Sequence, residues 1–324
     1  MSSKKIILDV DTGIDDALAI LYAVKSKEIQ IEGITTVFGN VSADQATRNT
    51  LQVLELADAN DNIPVAMGAK KPLFREWSGP VIHVHGQNGI GDYELPEPSL
   101  QPLEEHAADF IVRQVNEQPG ELTLVFVARL TNLALALAKD PSIAGKVKGL
   151  VLMGGALKTF GNVTPIAEAN IYGDPEAAHR VFESGIPITM VGLDVTRKAK
   201  FQEEHLKQLM DLASPENEKM IKFIEHIIRF GIEASVKMNE GKCRLMHDPL
   251  AVGVAIDPGL VKSENHYVYI ETQSRLSAGA TVADLRLSRK KTETNAAVCV
   301  EVDHERFIEH FIQTVASRDE RGEG

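Results

Sequence analysis

Cysteine is nearly missing from this chain of 324 residues, which has only Cys243 and Cys299, far apart in sequence. Two such cysteines build no disulfide framework, and their scarcity fits a reducing compartment such as the cytoplasm. Basic residues are short as well: 34 Lys and Arg stand against 46 Asp and Glu, a net charge of -12. That balance argues against nucleic acid or an anionic membrane as the main partner and leaves small neutral or cationic ligands open. No apolar run is long enough to cross a bilayer. Met1-Ser2-Ser3-Lys4-Lys5 leads straight into a strand pattern, with no signal peptide expected ahead of it. Internal repeats, low-complexity tracts and a clear linker are lacking too. A single domain over residues 1–324 is therefore expected, and a 44% hydrophobic composition can fill its core.

What the chain does have is an alternation of strand and helix patterns. Lys5 to Leu8, Ile31 to Phe38, Ile63 to Met67, Leu122 to Val127, Gly149 to Met153 and Ile188 to Leu193 read as strands. Between them, 43–57, 103–116 and 130–138 read as helices, and Ser42 with Gln45 forms a capping-box pattern. Asp174-Pro175-Glu176 is a strong helix start. The alternation predicts an α/β fold with a doubly wound, mostly parallel, Rossmann-like sheet and helices on both faces. Two stretches break the rhythm and read as lid-like loops, about residues 68–101 and 229–246. The end of the chain turns strand-rich, at 266–271, 281–287 and 296–302, before a helix over 304–316.

The most telling stretch is Asp9-Val10-Asp11-Thr12-Gly13-Ile14-Asp15-Asp16. It follows the first strand, where an open α/β sheet binds its ligands. Aspartates in a first helical turn are common for macrodipole reasons, which accounts for Asp15 or Asp16 alone. It does not account for Asp9 and Asp11 as well. Carboxylates this dense repel unless a cation or a set of donors neutralises them, so a divalent cation is expected. Asp9 is expected to support the site from behind Asp11, on the same side of the strand.

Other candidates are weaker alone. Asn40 sits at the end of the second strand but also suits a turn. Asp248 has an ordinary reading as the cap of a helix starting at Pro249, like Asp140, Asp174 and Asp257 before their prolines. His247 beside it offers a proton donor near neutral pH. Glu168 and Asn170 follow a polar loop containing Asn162, and His83 and His85 lie in the first lid-like loop.

Taken in order, the Asp11-to-Asp16 cluster, Asn40, Leu130-Thr131-Asn132, Met153-Gly154-Gly155, Asn162, Glu168-x-Asn170 and His247-Asp248-Pro249 resemble the inosine–uridine type of nucleoside hydrolase. The resemblance runs from residue 5 to about 255. It implies hydrolysis of the N-glycosidic bond of purine or pyrimidine ribonucleosides, in salvage or catabolism, by a homodimer or homotetramer holding one Ca2+ per subunit. By the same resemblance, Asp11, Asp16, Asp248 and the Val127 carbonyl hold the metal, and Asp11 takes a proton from the attacking water. Asp15, Asn162, Glu168 and Asn170 clamp the ribose, and Asn40 and Met153 join the substrate site, with His85 placed beside it by its loop position rather than by the resemblance. His247 helps the departing base.

The chain departs from the family pattern at Ala128-Arg129, where Gly-Pro or Gly-Gly usually precedes Leu-Thr-Asn. Arg129 either points away from the pocket or alters substrate choice. It also motivates one alternative, a non-catalytic nucleoside- or ribose-binding protein on the same scaffold. A second alternative is a Mg2+-dependent phosphatase of the haloacid-dehalogenase type, which also places Asp-x-Asp after a strand. There the pair Asp15-Asp16 would have no role.

Overall fold

The computed structural model describes residues 3–59, 63–286 and 293–317. Its centre is an eight-stranded sheet, built first from β1 (Lys4–Val10), β2 (Ile29–Thr36), β3 (Val65–Met67), β4 (Thr123–Phe126), β5 (Gly149–Met153) and β6 (Ile188–Val191). The short pair β7 (Lys200–Phe201) and β8 (Arg244–Leu245) lies outside it. The sheet is completed by β9 (Val261–His266) and β12 (Ala296–Val302), while β10 (Tyr269–Ile270) and β11 (Thr281–Val282) form a separate antiparallel pair.

The strand order is β3-β2-β1-β4-β5-β6-β12-β9, parallel throughout except for the edge strand β9, which runs against β12. The expected doubly wound sheet is therefore the one observed. β1 lies between β2 and β4, where the winding reverses direction, and the crevice beyond its C-terminal end is where such a sheet binds ligand. Alternation along β1 splits its side chains between two apolar layers: Ile6, Leu8 and Val10 enter one, Ile7 the other.

The helices cover both faces. They are α1 (Ile14–Lys25), α2 (Ala43–Leu56), the single turn α3 (Ile82–His85), α4 (Ala107–Glu117), α5 (Thr131–Lys139), α6 (Ala169–Gly173) and α7 (Pro175–Phe182). Then follow α8 (Leu193–Thr196), α9 (Glu203–Leu212), α10 (Glu218–Lys237), α11 (His247–Ile256) and α12 (His304–Ala316). α1 is buried along its whole length among α2, α10, α11 and α12. A helix apolar all round reads as internal, and its two charged residues in the first turn are aimed at the crevice end of β1.

Several boundaries differ from the sequence reading. α4 starts at Ala107, not Leu103, because His106 caps it and the Leu103 N–H instead bonds the Val65 carbonyl at 2.8 Å beside β3. Ser42 caps α2 through the Gln45 N–H, but the Gln45 side chain turns to Asn49, so the box closes on one side only. β9 was hidden in the sequence by Lys262, Ser263, Glu264 and Asn265, the polar dress of an exposed edge. The strand expected over 266–271 is the end of β9 followed by β10, and that expected over 281–287 is β11 alone, with Leu287 outside the described residues. Half of the expected loop 229–246 is helix, since α10 continues to Lys237.

Candidate active site

The turn after β1 is organised by Asp16. One of its carboxylate oxygens accepts the Asp11 N–H at 3.0 Å and the other the Gly13 N–H at 2.9 Å. This folds residues 11–13 over the start of α1 and turns Asp11 toward the end of β2. There Asn40 meets it twice, through its N–H at 2.6 Å and its side-chain amide at 3.2 Å, and the same amide reaches Asp16 at 3.1 Å. Asp11, Asp15, Asp16 and Asp248 are all buried. Burial pushes the pKa of each above the ordinary carboxylate value, and the charges of Asp16, Asp15 and Asp11 add to the shift at Asp248.

Asp248 is not the helix cap its sequence suggested. α11 begins at His247, with Met246 at the cap position and no side-chain capping bond. Asp140, Asp174 and Asp257 do cap, accepting backbone N–H groups of Ser142, Ala177 and Gly259. Asp248 is thus a carboxylate buried for a reason other than capping.

Two arginines neutralise part of this charge. Arg244 from β8 holds one Asp15 oxygen through Nε at 3.1 Å and Nη2 at 3.0 Å, while the other Asp15 oxygen accepts the His247 N–H at 3.2 Å. Arg129 does not point away. Its guanidinium pairs with Asp11 and lies 3.5 Å from the Asn40 side-chain oxygen and 3.4 Å from that of Asn170. Arg244 went unnoticed in the sequence, although a charged residue inside the apolar run Cys243-Arg244-Leu245-Met246 is a signal of a buried ion pair.

The far wall comes from the segment after β5. Glu168 caps α6 through the Asn170 and Ile171 N–H groups and also accepts the Gly155 N–H at 2.9 Å. Asn170 then spans two strand ends, its amide donating to the Val127 carbonyl at 2.8 Å and the Met153 carbonyl at 3.0 Å. Asn162 is the one candidate set apart: it is exposed, and its side chain accepts the Ala169 N–H.

Of the three candidate histidines, His85 and His247 reach the crevice, while His83 is exposed. His85 is buried, and its Nδ1 accepts the Ile14 N–H at 3.0 Å, so the ring proton sits on Nε2. Burial, with Arg244 and Arg129 nearby, lowers its pKa well below the usual value. His247 pairs through Nδ1 with the Thr196 hydroxyl at 2.8 Å, and burial together with Arg244 and Arg197 pushes its pKa down to about 3. Asp9, expected behind Asp11, turns elsewhere. It lies within β1 whereas Asp11 is past its end, so two-residue alternation does not carry from one to the other. Asp9 accepts from Thr35 at 2.6 Å and Asn132 at 2.7 Å, bracing β1 against β2 and the start of α5.

The donor chemistry suits a hard divalent cation: three buried carboxylates, Asp11, Asp16 and Asp248, repel one another, and Asn170, whose amide bonds the strand-end carbonyl of Val127, lies beside the arginine paired with Asp11. Among the described residues, no three acidic, His or Cys side chains are already arranged as a metal cage. Asp11 faces Arg129 and Asn40, and Asp16 faces its own turn.

The family model described as inosine-uridine preferring nucleoside hydrolase matches residues 6–309. The chain is 43% identical over 286 residues to uridine nucleosidase 1 of Arabidopsis thaliana, covering 88% of this chain and 83% of that protein. It is 38% identical over 315 residues to the pyrimidine-specific ribonucleoside hydrolase RihA of Shewanella sp. (strain MR-7), covering 97% and 96%. Among solved structures, the plant nucleoside hydrolase PpNRh1 superposes with a TM-score of 0.91 at 34% identity, covering 98% of this chain and all of that one.

Proposed function

The chain belongs to the inosine-uridine preferring nucleoside hydrolase family, and from that premise we propose that it cleaves ribonucleosides to ribose and free base with the help of one Ca2+. The observation that carries the proposal is the crevice beyond β1. Four buried aspartates converge there, and Arg129 and Arg244 are the arginines paired with them. A phosphatase of the haloacid-dehalogenase type has no use for Asp15, Asp16 and Asp248, and the match over residues 6–309 sets that alternative aside.

Cleavage of an N-glycosidic bond passes through an oxocarbenium-like sugar, as in glycoside hydrolysis. Asp11, Asp16, Asp248 and the Val127 carbonyl would hold the cation, which when bound would polarise water and anchor the ribose diol. Asp11 accepts the proton that water loses as it attacks C1′, and Asn40 fixes the Asp11 carboxylate with its two bonds. Asp15, Glu168 and Asn170 grip the ribose; contacts that tighten in the transition state accelerate the step.

His247 serves the leaving base. At a pKa near 3 the ring is neutral, and in the tautomer that accepts the Thr196 hydroxyl at Nδ1 the Nε2 hydrogen is the one available to the base. The uridine and pyrimidine activities named for the two relatives support a pyrimidine preference. The test is base release from uridine, cytidine, inosine, adenosine and guanosine, with and without a calcium chelator. Uridine hydrolysis lost on chelation and restored by Ca2+ is expected. Undiminished hydrolysis in chelator would overturn the calcium dependence, and faster release from inosine than from uridine the base preference.

A further inference from the structure

Arg129 is built into the site rather than straying through it. Its side chain is 8% exposed, and its guanidinium pairs with Asp11 between the side-chain oxygens of Asn40 and Asn170. Two glycines leave the room it needs. A Cβ at Gly173 would stand 2.7 Å from Arg129 Cγ and 2.8 Å from Nε. A Cβ at Gly39 would collide with the Asp11 carboxylate and with the guanidinium, whose Cζ would lie at 2.6 Å. The side chain thus runs in a slot between the start of the loop after β2 and the end of α6, and the slot delivers its charge onto one carboxylate, Asp11.

We propose that Arg129 is a tethered cation that competes with the divalent metal for Asp11. This rests on the metal reading given above. The guanidinium and a divalent cation both draw on the Asp11 carboxylate and repel each other across it, so each weakens the other's hold. Metal binding therefore favours withdrawal of Arg129 from Asp11, and the work of that displacement is subtracted from metal affinity. Withdrawal also frees the guanidinium while leaving it beside Asn40 and Asn170, so occupancy by metal and the position of Arg129 are two readings of one equilibrium. Arg129 is a positioning residue in this scheme: it acts through Asp11.

The test is calcium binding by titration calorimetry on chelator-stripped full-length protein, comparing wild type, Arg129→Ala and Arg129→Gln. The Gln variant retains part of the side-chain stem beside Gly173 and guards against simple misfolding of the Ala variant. Both variants are expected to bind Ca2+ roughly 10- to 100-fold more tightly than wild type, within the range of ordinary coupling between two sites. Melting in chelator supplies a readout independent of turnover: the variants should melt below wild type without calcium and show the larger upward shift on adding it. Wild type binding Ca2+ with the variants equal or weaker overturns the competition and leaves the metal reading intact. Absence of calcium binding in wild type and both folded variants overturns the metal reading and this inference together.

Discussion

Arg244 and Asp15 form a buried ion pair in which both guanidinium contacts fall on a single carboxylate oxygen, at 3.0 and 3.1 Å. The second oxygen accepts the His247 N–H. One side chain in the first turn of α1 thereby fixes β8 and the first residue of α11, two segments more than 220 positions away in the chain. Gly231 on α10 makes the pair possible, since a Cβ there would come within 2.7 Å of Arg244 Cδ.

Removing one half of such a pair leaves a buried, unpaired charge, which typically costs about 3–5 kcal/mol. Arg244→Ala should therefore lose stability on that scale in urea unfolding, and the double change Arg244→Ala with Asp15→Asn should lose less than the single one. Turnover should fall in both, because Asp15 is assigned to the ribose. A double variant less stable than Arg244→Ala would show that the arginine acts through packing rather than through charge.

Asp9 supports a prediction about pH. Burial pushes its pKa from 3.8 up to about 8, with Thr35 and Asn132 opposing the shift. The unfolded chain releases this proton near 3.8 and the folded protein near 8, so between those values the folded state binds more protons. The contribution is complete below about pH 4 and is lost as pH rises through 8. Asn at this position keeps one oxygen for Thr35 and Asn132 and places an uncharged amide where the Asp9 Oδ1 atom has no hydrogen-bond partner. In chelator, Asp9→Asn should flatten the fall in melting temperature between pH 5 and pH 8. Equal slopes for the two proteins would refute the assignment.

His247 is tested by its leaving group. Its neutral ring and Thr196 contact supply a hydrogen that a natural base needs and a nitrophenolate does not. His247→Ala should slow uridine hydrolysis by roughly 10²–10⁴-fold, the usual worth of such assistance, with a much smaller loss on a nitrophenyl riboside. Thr196→Val, which removes the partner of Nδ1, should move in the same direction by less. Matching losses on both substrates would point to a role in binding instead.

Much of this architecture was legible because it is local. Ile6 to Val10 and Asp11 to Asp16 carry strand, turn and helix start in one run, and burial of β1 between β2 and β4 follows from its continuous apolar run Ile6-Ile7-Leu8. What escaped depends on pairing across the chain. Arg244 is ordinary until Asp15 is brought against it, and Arg129 looked free to point either way until Gly39 and Gly173 are seen to open its slot. Asp248 misled for a related reason: Asp-Pro is a cap signal, and only the start of α11 at His247, two residues before Pro249, removes that explanation. β9 was lost because an exposed edge strand needs no apolar pattern.

The strongest single test falls on Asp11, where the Asn40 bonds, the Arg129 pair and the proposed proton acceptance meet. Asn is nearly the same shape and leaves the turn held by Asp16 in place, since that turn uses the Asp11 backbone N–H and not its side chain. Asp11→Asn should therefore fold with unchanged circular dichroism. It cannot accept the proton of water, and it offers the cation a neutral ligand, so turnover should fall by at least about 10³-fold, the middle of the range for losing general base catalysis. Arg129 is then left as a buried charge without its carboxylate, and stability should drop by up to about 3–5 kcal/mol, the scale that applies to Arg244. Calcium affinity should weaken as well, which separates the two roles: added calcium restores occupancy but not the rate. Near-normal turnover by the purified variant at saturating calcium would remove Asp11 from the chemistry and leave Asp16 and Asp248 as the carboxylates to examine.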